Sequence, residues 1–369
     1  MTLRRGALWG LLLAKAVAGI GVGWDIRWHV VIGRDSFWIA PHVMTYAGVA
    51  ATVLLSFGIL AWDTWRRRRT QVTGDEITVM GVTGTPGFHL AAWGIALTVL
   101  AAPIDDLWHR LFGIDVTLWS PPHLLGLLGS LINTAACLLI AVEVYPDSRR
   151  MRAAAIIVNA ALLLGGLATT AQPAFRLAYL HGGLAFHSYA ILGAFLFPLA
   201  YLTAARLSGL RTAPVLVLVV SVAIGMIGVQ ISRIGFEALG PVSVIEKEIA
   251  KDPTSPIAVA NAIARKNNEQ PGARSLAVQA GSLIPVIAMV LIDPRRRPVT
   301  ATVAYGVFLM IFTGWILARS PAFAPMAPGI DMALIGLILT VIAAVAGGVA
   351  GRWLSRTLGA SVPGEPVPK

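Results

Sequence analysis

Apolar runs of about 18 or more residues, each closed by a short polar break, recur along the whole chain. A helix of that length spans the hydrocarbon core of a bilayer. In order, the runs predict ten helices: about Gly6 to His29, Trp38 to Trp65, Phe88 to Arg110, Pro121 to Tyr145, Ala153 to Ala171, Gly183 to Ala205, Pro214 to Ile234, Ser275 to Ile292, Val299 to Leu317 and Asp331 to Leu354. The pattern reads as an all-α, polytopic transmembrane helical bundle. A polar segment with several prolines, about Gly235 to Arg274, interrupts the series and has room for one short amphipathic helix. The first run has the look of a secretory signal, with Arg4 and Arg5 ahead of it and Ala16-Val17-Ala18 as a cleavage-like site. Lys15 inside the run and Asp25 directly after it favour a retained first helix.

Composition agrees with the pattern. Of 369 residues, 56% are hydrophobic and 13% charged, more apolar than a soluble domain of this size needs. The net charge of +11 does not point to nucleic acid, because its arginines alternate between the breaks. Arg66 to Arg69, Arg149, Arg150, Arg152, Arg206, Arg211 and Arg295 to Arg297 fall on one side, and only Arg27, Arg34, Arg110, Arg176 and Arg319 in the short loops of the other. By the positive-inside rule the N- and C-termini are cytoplasmic. The expected location is therefore the inner (plasma) membrane, crossed many times, with the lipid bilayer as the principal partner. The single cysteine, Cys137, lies in an apolar run. It excludes an intrachain disulfide and thiolate metal chemistry, and reads as a small buried hydrophobe.

The chemistry-bearing residues concentrate early. Asp25 and His29 are four positions apart, and His42 follows through Pro41 after twelve intervening residues; Asp105 and His109 repeat the spacing, and His123 follows through Pro122 after thirteen. On a helix, four positions put both side chains on one face. Proline suits the first turn of the returning helix, where its missing N–H costs nothing. Each copy thus offers one carboxylate and two imidazoles from neighbouring helices, a three-ligand metal site. Such ligands suit copper, zinc or iron. The plain alternative, headgroup-level carboxylates beside Arg27 and Arg110 with histidine and tryptophan as interface anchors, does not account for the repetition. The chain accordingly divides into residues 1–150, a four-helix region with the duplicated motif, and 151–369, a six-helix region with an extracytoplasmic loop at about 235–274.

All seven histidines lie within the first 187 residues, and six map to the outer side. His181 and His187 are candidates for additional ligands there, and Gln172, Arg176, Tyr179 and Tyr189 for lining an outer cavity. His89 maps to the opposite end and reads as interfacial. Trp24, Trp28, Trp108 and Trp119 are interface anchors or apolar walls. Arg233 and Glu237, four apart, read as an ion pair. The pairs Gly126/Gly129 and Gly225/Gly228 read as helix-packing positions.

The stretch DIRWHVVIGRDSFWIAPH resembles the metal-site motif of the C subunit of the copper-containing membrane monooxygenases, the particulate methane and ammonia monooxygenase family. That family's first site is Asp-x3-His-x12-His with an Arg-Asp pair in the loop, which Asp25, His29, His42 and Arg34-Asp35 match. Its second is Asn-x3-His-x13-His with acidic loop residues, which His109, His123 and Asp115 match, with Asp105 in place of asparagine. The likeness covers about residues 20–130. It implies that Asp25, His29 and His42 bind copper where oxygen is activated, and that Asp105, His109 and His123 form a neighbouring copper site. It also implies partner subunits in a membrane complex.

Three functions follow as expectations. The first is a copper-dependent membrane monooxygenase, or its metal-bearing subunit, acting on a small apolar or neutral substrate. The second is a non-catalytic membrane protein that binds or transports copper or zinc. The third is a haem protein with histidine axial ligands, which leaves the Asp/His spacing unexplained.

Overall fold

A computed structural model describes residues 2–33, 36–69, 76–112, 118–266 and 276–360. Helix α1 (Thr2–Val31) and helix α2 (Ala40–Arg69) form an antiparallel hairpin. Their backbones meet at Gly48, where a Cβ would lie 2.6 Å from the Ala14 carbonyl oxygen and 2.7 Å from the Ala18 nitrogen. The arginines that open α1 sit badly with the helix dipole. Arg4 offsets this by pairing with Asp63 at 2.8 Å and with Glu76, and Arg66 reaches Glu76 at 2.9 Å. Glu76 leads into a small antiparallel hairpin of β1 (Ile77–Val79) and β2 (Val82–Gly84), with Ile77 opposite Gly84. Its turn residues, Met80 and Gly81, both have positive φ, as a tight hairpin requires.

The second helical hairpin repeats the first. Helix α3 (Pro86–Phe112) and helix α4 (Pro121–Val144) meet at Gly129, where a Cβ would lie 2.6 Å from the Thr98 nitrogen and 2.7 Å from the Gly94 carbonyl oxygen. At the far end, Glu143 accepts hydrogen bonds from the Gly87 N–H at 2.8 Å and from the Thr85 hydroxyl. A carboxylate from the end of α4 therefore satisfies the open N-terminus of α3.

Helix α5 (Arg149–Ala171) is capped by Ser148 and packs against α4 and the later helices α7 (Ser188–Ser208) and α8 (Ala213–Leu239). Between α5 and α7 come α6 (Ala174–His181) and a 3₁₀ turn, Gly183–His187. After α8 come α9 (Ile245–Lys251) and α10 (Pro256–Lys266), two short helices where the sequence suggested one. The chain then forms α11 (Leu276–Gly281), α12 (Leu283–Ile292), α13 (Pro298–Arg319) and α14 (Ile330–Ala360).

Among the described residues nine helices are long and apolar enough to cross a membrane, and the fold is an all-α helical bundle. The eighth expected helix, Ser275 to Ile292, is divided into α11 and α12 at Ser282. Pro285 is the reason: it has no N–H to donate to the Gly281 carbonyl, and its ring crowds that turn. One continuous buried core joins all the long helices, from Leu8 and Leu11 through Leu138, Ile156 and Tyr201 to Tyr305. Leu13, Leu54, Leu128, Val219 and Ile338 stand more than half exposed or at half exposure on outward faces, the positions that lipid covers in a multi-pass membrane protein.

Candidate metal centre

The two hairpins carry their Asp/His/His sets in the same way. In the first, Asp25 Oδ1 lies 3.1 Å from His42 Nε2 and 3.6 Å from His29 Nε2. In the second, Asp105 Oδ1 lies 3.3 Å from His123 Nε2 and 3.8 Å from His109 Nε2. One ligand atom from each of the three residues falls within 4.8 Å of the others in both groups. Atoms sharing one ion at about 2.1 Å sit about 3–3.5 Å apart, so both sets are near coordination spacing.

The polar atoms support that reading. Asp25 Oδ1 and Asp105 Oδ1 are both shielded from solvent and accept no hydrogen bond, and His109 Nε2 is likewise without one. A buried carboxylate oxygen is costly unless something satisfies it. Here the neighbouring imidazoles converge on it without hydrogen-bond geometry, as ligands of a common cation do. The donor set therefore fits a metal.

Helix register brings the ligands together. Gly21, one turn before Asp25, lets the start of α2 come in: a Cβ there would lie 3.0 Å from the Pro41 carbonyl oxygen and 2.4 Å from Thr45 Oγ1. Thr45 is held in turn by its own hydrogen bond to the Pro41 carbonyl at 3.0 Å. The second hairpin puts the small residue on the returning helix instead. Gly126 faces Ala101, and its carbonyl accepts from Thr98 Oγ1 at 3.2 Å.

The surroundings differ. The first set is braced from α8: Phe236 stacks on Trp28 at 5.6 Å and meets Trp24 edge-on at 6.2 Å. Arg27 donates to Ser232 Oγ at 2.6 Å, and the chain after α8 closes the end of α1, with Ser243 Oγ bonded to the Val31 carbonyl and Val244 N to that of Ile32. Trp24 and Trp28 are thus buried walls rather than interface anchors. In the second set, Trp108 packs on Phe112 at 4.4 Å and Trp119 Nε1 donates to the Thr170 carbonyl at 2.8 Å, while Leu107, Leu111 and Phe112 stay exposed.

The other sequence candidates separate from these sets. His181 and His187 belong to neither group. His187 is buried against Gly336 of α14 and edge-on to Phe186, with neither ring nitrogen hydrogen-bonded among the described residues. Tyr179 packs on Phe323 and Tyr189 stacks on Phe175. His89 is buried at the opposite end, its Nε2 3.2 Å from the Ile77 carbonyl oxygen. Arg233 and Glu237 pair at 3.0 Å. Arg34, Asp35 and Asp115 lie outside the described residues.

The sequence reading named Gly129 as a helix-packing position but missed Gly48, its counterpart in the first hairpin. Gly48 follows His42 by six positions and Gly129 follows His123 by six, and each packs on residues eleven and seven positions before the motif aspartate. Aligning the two copies beyond the ligands would have found it.

No protein-family model matches the chain, and neither a curated protein nor a solved structure matches it. What the fold and the two sets define is a class: a multi-pass helical membrane protein with His/Asp groupings able to hold a metal.

Proposed function

We propose that this chain is a metal-dependent membrane oxygenase, or the metal-bearing subunit of one, acting on a small apolar or neutral substrate. The observation that carries the reading is the twofold convergence of a carboxylate and two imidazoles on a shielded, hydrogen-bond-free carboxylate oxygen. Asp25, His29 and His42 would hold one ion, and Asp105, His109 and His123 another. Copper follows from the resemblance in the motif, with zinc and iron compatible with the same ligands. When bound, such an ion supplies open coordination positions and redox or Lewis-acid chemistry. The chain's own part is to fix the three ligands, and to wall the first set with Trp24, Trp28 and Phe236 so that water is excluded on that side. Hydroxylation of R–H by dioxygen gives R–OH and water and consumes two electrons and two protons. A membrane electron donor or partner subunits would supply the reductant. The arginine distribution supports a plasma-membrane location with both sets on the extracytoplasmic side.

The competing reading is a non-catalytic copper or zinc binder or transporter. One observation weighs against cation passage through the first four helices: Lys15, midway along α1, points its ammonium into the bundle and donates to Thr134 Oγ1 at 3.0 Å. Whenever it is protonated, a lysine at that depth opposes a cation path.

Elemental analysis of detergent-purified protein tests the proposal, with wild type beside His29→Ala/His109→Ala and a His89→Ala control. The expected result is about one or two coppers per chain, lost in the double variant and kept in the control. Oxygen-dependent turnover of small apolar substrates then separates oxygenase from carrier. A Soret band would replace both readings by haem. Equal metal in all three proteins removes the site assignment.

A further inference from the structure

We infer that the later helices hold a site for a soft monovalent metal ion, copper(I) or its analogue silver(I), between the start of α7 and helices α13 and α14. Its ligands are the imidazole of His187 and the thioether of Met310. The site is separate from the two Asp/His/His sets and does not rest on the oxygenase reading.

His187 closes the 3₁₀ turn at the point where the chain enters α7. The residue is only 6% exposed, and among the described residues neither ring nitrogen has a hydrogen bond. A neutral imidazole carries a proton on one nitrogen and a lone pair on the other. A lone pair withdrawn from water, with no donor or cation to meet it, is costly. Small residues bring the two ligands to one place. On α14, a Cβ at Gly336 would meet His187 Cδ2 at 2.6 Å and Met310 Cε at 3.3 Å, so ring and thioether crowd against the same missing side chain. On α13, Gly314 stands one turn after Met310, and a Cβ there would lie 4.0 Å from His187 Cε1. Thr340, one turn after Gly336, is fully buried; it donates to the Gly336 carbonyl at 2.7 Å and contacts Met310 Sδ at 3.5 Å. That contact holds the sulfur at the level of the ring. The three rotatable bonds of methionine let the sulfur turn toward the imidazole.

The ligand chemistry selects the ion. A thioether is a soft ligand and suits copper(I). Imidazole and thioether are both neutral, and burying a single charge between neutral ligands costs far less than burying a double one. The Asp/His/His sets each bring a carboxylate and suit a divalent ion; this pair brings none. Copper in two oxidation states would thus find different places in the same chain.

The test uses the full chain with both sets disabled by His29→Ala/His109→Ala. Copper content of protein isolated in air remains the separate readout of those sets. The soft site is loaded afterwards, anaerobically, with copper(I) held against a competing chelator, and examined by X-ray absorption. The expected result is about one copper(I) per chain with a sulfur neighbour. Met310→Leu should remove the sulfur neighbour and weaken retention at least about tenfold, and His187→Phe should lose the ion. Silver(I) should compete for the site and zinc(II) should not. The site is refuted if the double variant retains no copper(I), or if His187→Phe retains as much as its parent. It is refuted equally if the sulfur neighbour survives Met310→Leu, which would point to Cys137 or another methionine, or if zinc(II) competes as well as silver(I). Should His187→Phe fail to fold, the nearly isosteric Met310→Leu decides through the sulfur neighbour.

Discussion

Replacing Gly129 by alanine tests how the packing of α3 on α4 governs the second metal set. A Cβ at Gly129 would lie 2.6 Å from Thr98 N and from Thr98 Oγ1, and 2.7 Å from the Gly94 carbonyl oxygen. At Gly126, one turn earlier on the same helix, the nearest atom would be Ala101 Cβ at 3.4 Å. Both substitutions add one methyl group, and both gain about 1 kcal/mol of helix propensity. They differ in what the methyl meets. To bring the Gly129 contact from 2.6 Å to the 3.4 Å seen at Gly126, the helices must part by about 0.8 Å. The obstacle is backbone, so no side-chain rotation relieves it. Overpacking of this kind costs about 1–3 kcal/mol. His123 rides on α4, less than two turns from Gly129, and Asp105 and His109 on α3, about two and three turns beyond Thr98. Coordination tolerates only about ±0.2 Å. Gly129→Ala should therefore melt several degrees below Gly126→Ala and bind metal at the second set at least tenfold more weakly, the scale seen when ligand orientation is disturbed. Tryptophan-fluorescence melts and metal titrations in a His29→Ala background measure both. If the two alanine variants melt together and titrate alike, close approach at Gly129 does not position the site.

Two other substitutions probe charge. Asp105→Asn keeps an oxygen donor but removes the charge from the second set. Divalent-metal affinity at that set should fall while the first set is unchanged. Unchanged binding at both would show that the Asp105 carboxylate is no ligand. At the opposite end, Arg295 donates to the Asp293 carboxylate from side chain and backbone and holds it below the usual carboxylate range. A depressed folded value means the stabilisation is present above the unfolded pKa and disappears as pH falls through the folded one. Melts of wild type should lose stability over that acidic window, and Asp293→Asn, which tolerates the positive φ there, should show a shallower pH dependence. Parallel curves would remove this pair from the acid response.

The long helices were legible because each has its own local signal: an apolar run, a proline at the start of α4 and α13, arginines or Gly209 at an end. The ligand sets were legible for the same reason, since four-residue spacing and a Pro-His return are properties of one hairpin. What escaped the sequence depends on partners far along the chain. Phe236 comes more than two hundred residues after the tryptophans it walls. The break at Ser282 follows from Pro285 meeting a turn that the apolar run conceals, beside Phe312 packed on Gly281. The small β-hairpin at residues 77–84 is too short for periodicity to register, and His187 turns toward α14 although its sequence neighbours place it with the outer histidines.

The two ligand sets also separate what a hairpin determines from what its neighbours determine. The first is braced by α8 and by the chain after it; among the described residues the second has no comparable cover, and Leu107, Leu111 and Phe112 at its helix end are more than half exposed. Yet the ligand spacings nearly coincide, 3.1 and 3.6 Å in one and 3.3 and 3.8 Å in the other. Bracing therefore does not create the geometry. The shared elements do: the aspartate and histidine one turn apart, the proline that starts the return, and a glycine six positions later that locks the helix register. The neighbours set access instead. Buried Trp24 and Trp28 neighbour the first set in sequence, whereas exposed Leu107, Leu111 and Phe112 flank the second. Identical ligand types in unequal dielectric surroundings differ in metal affinity and redox behaviour. The duplication thus supplies two Asp/His/His sets of one geometry, and α8 gives them different neighbours.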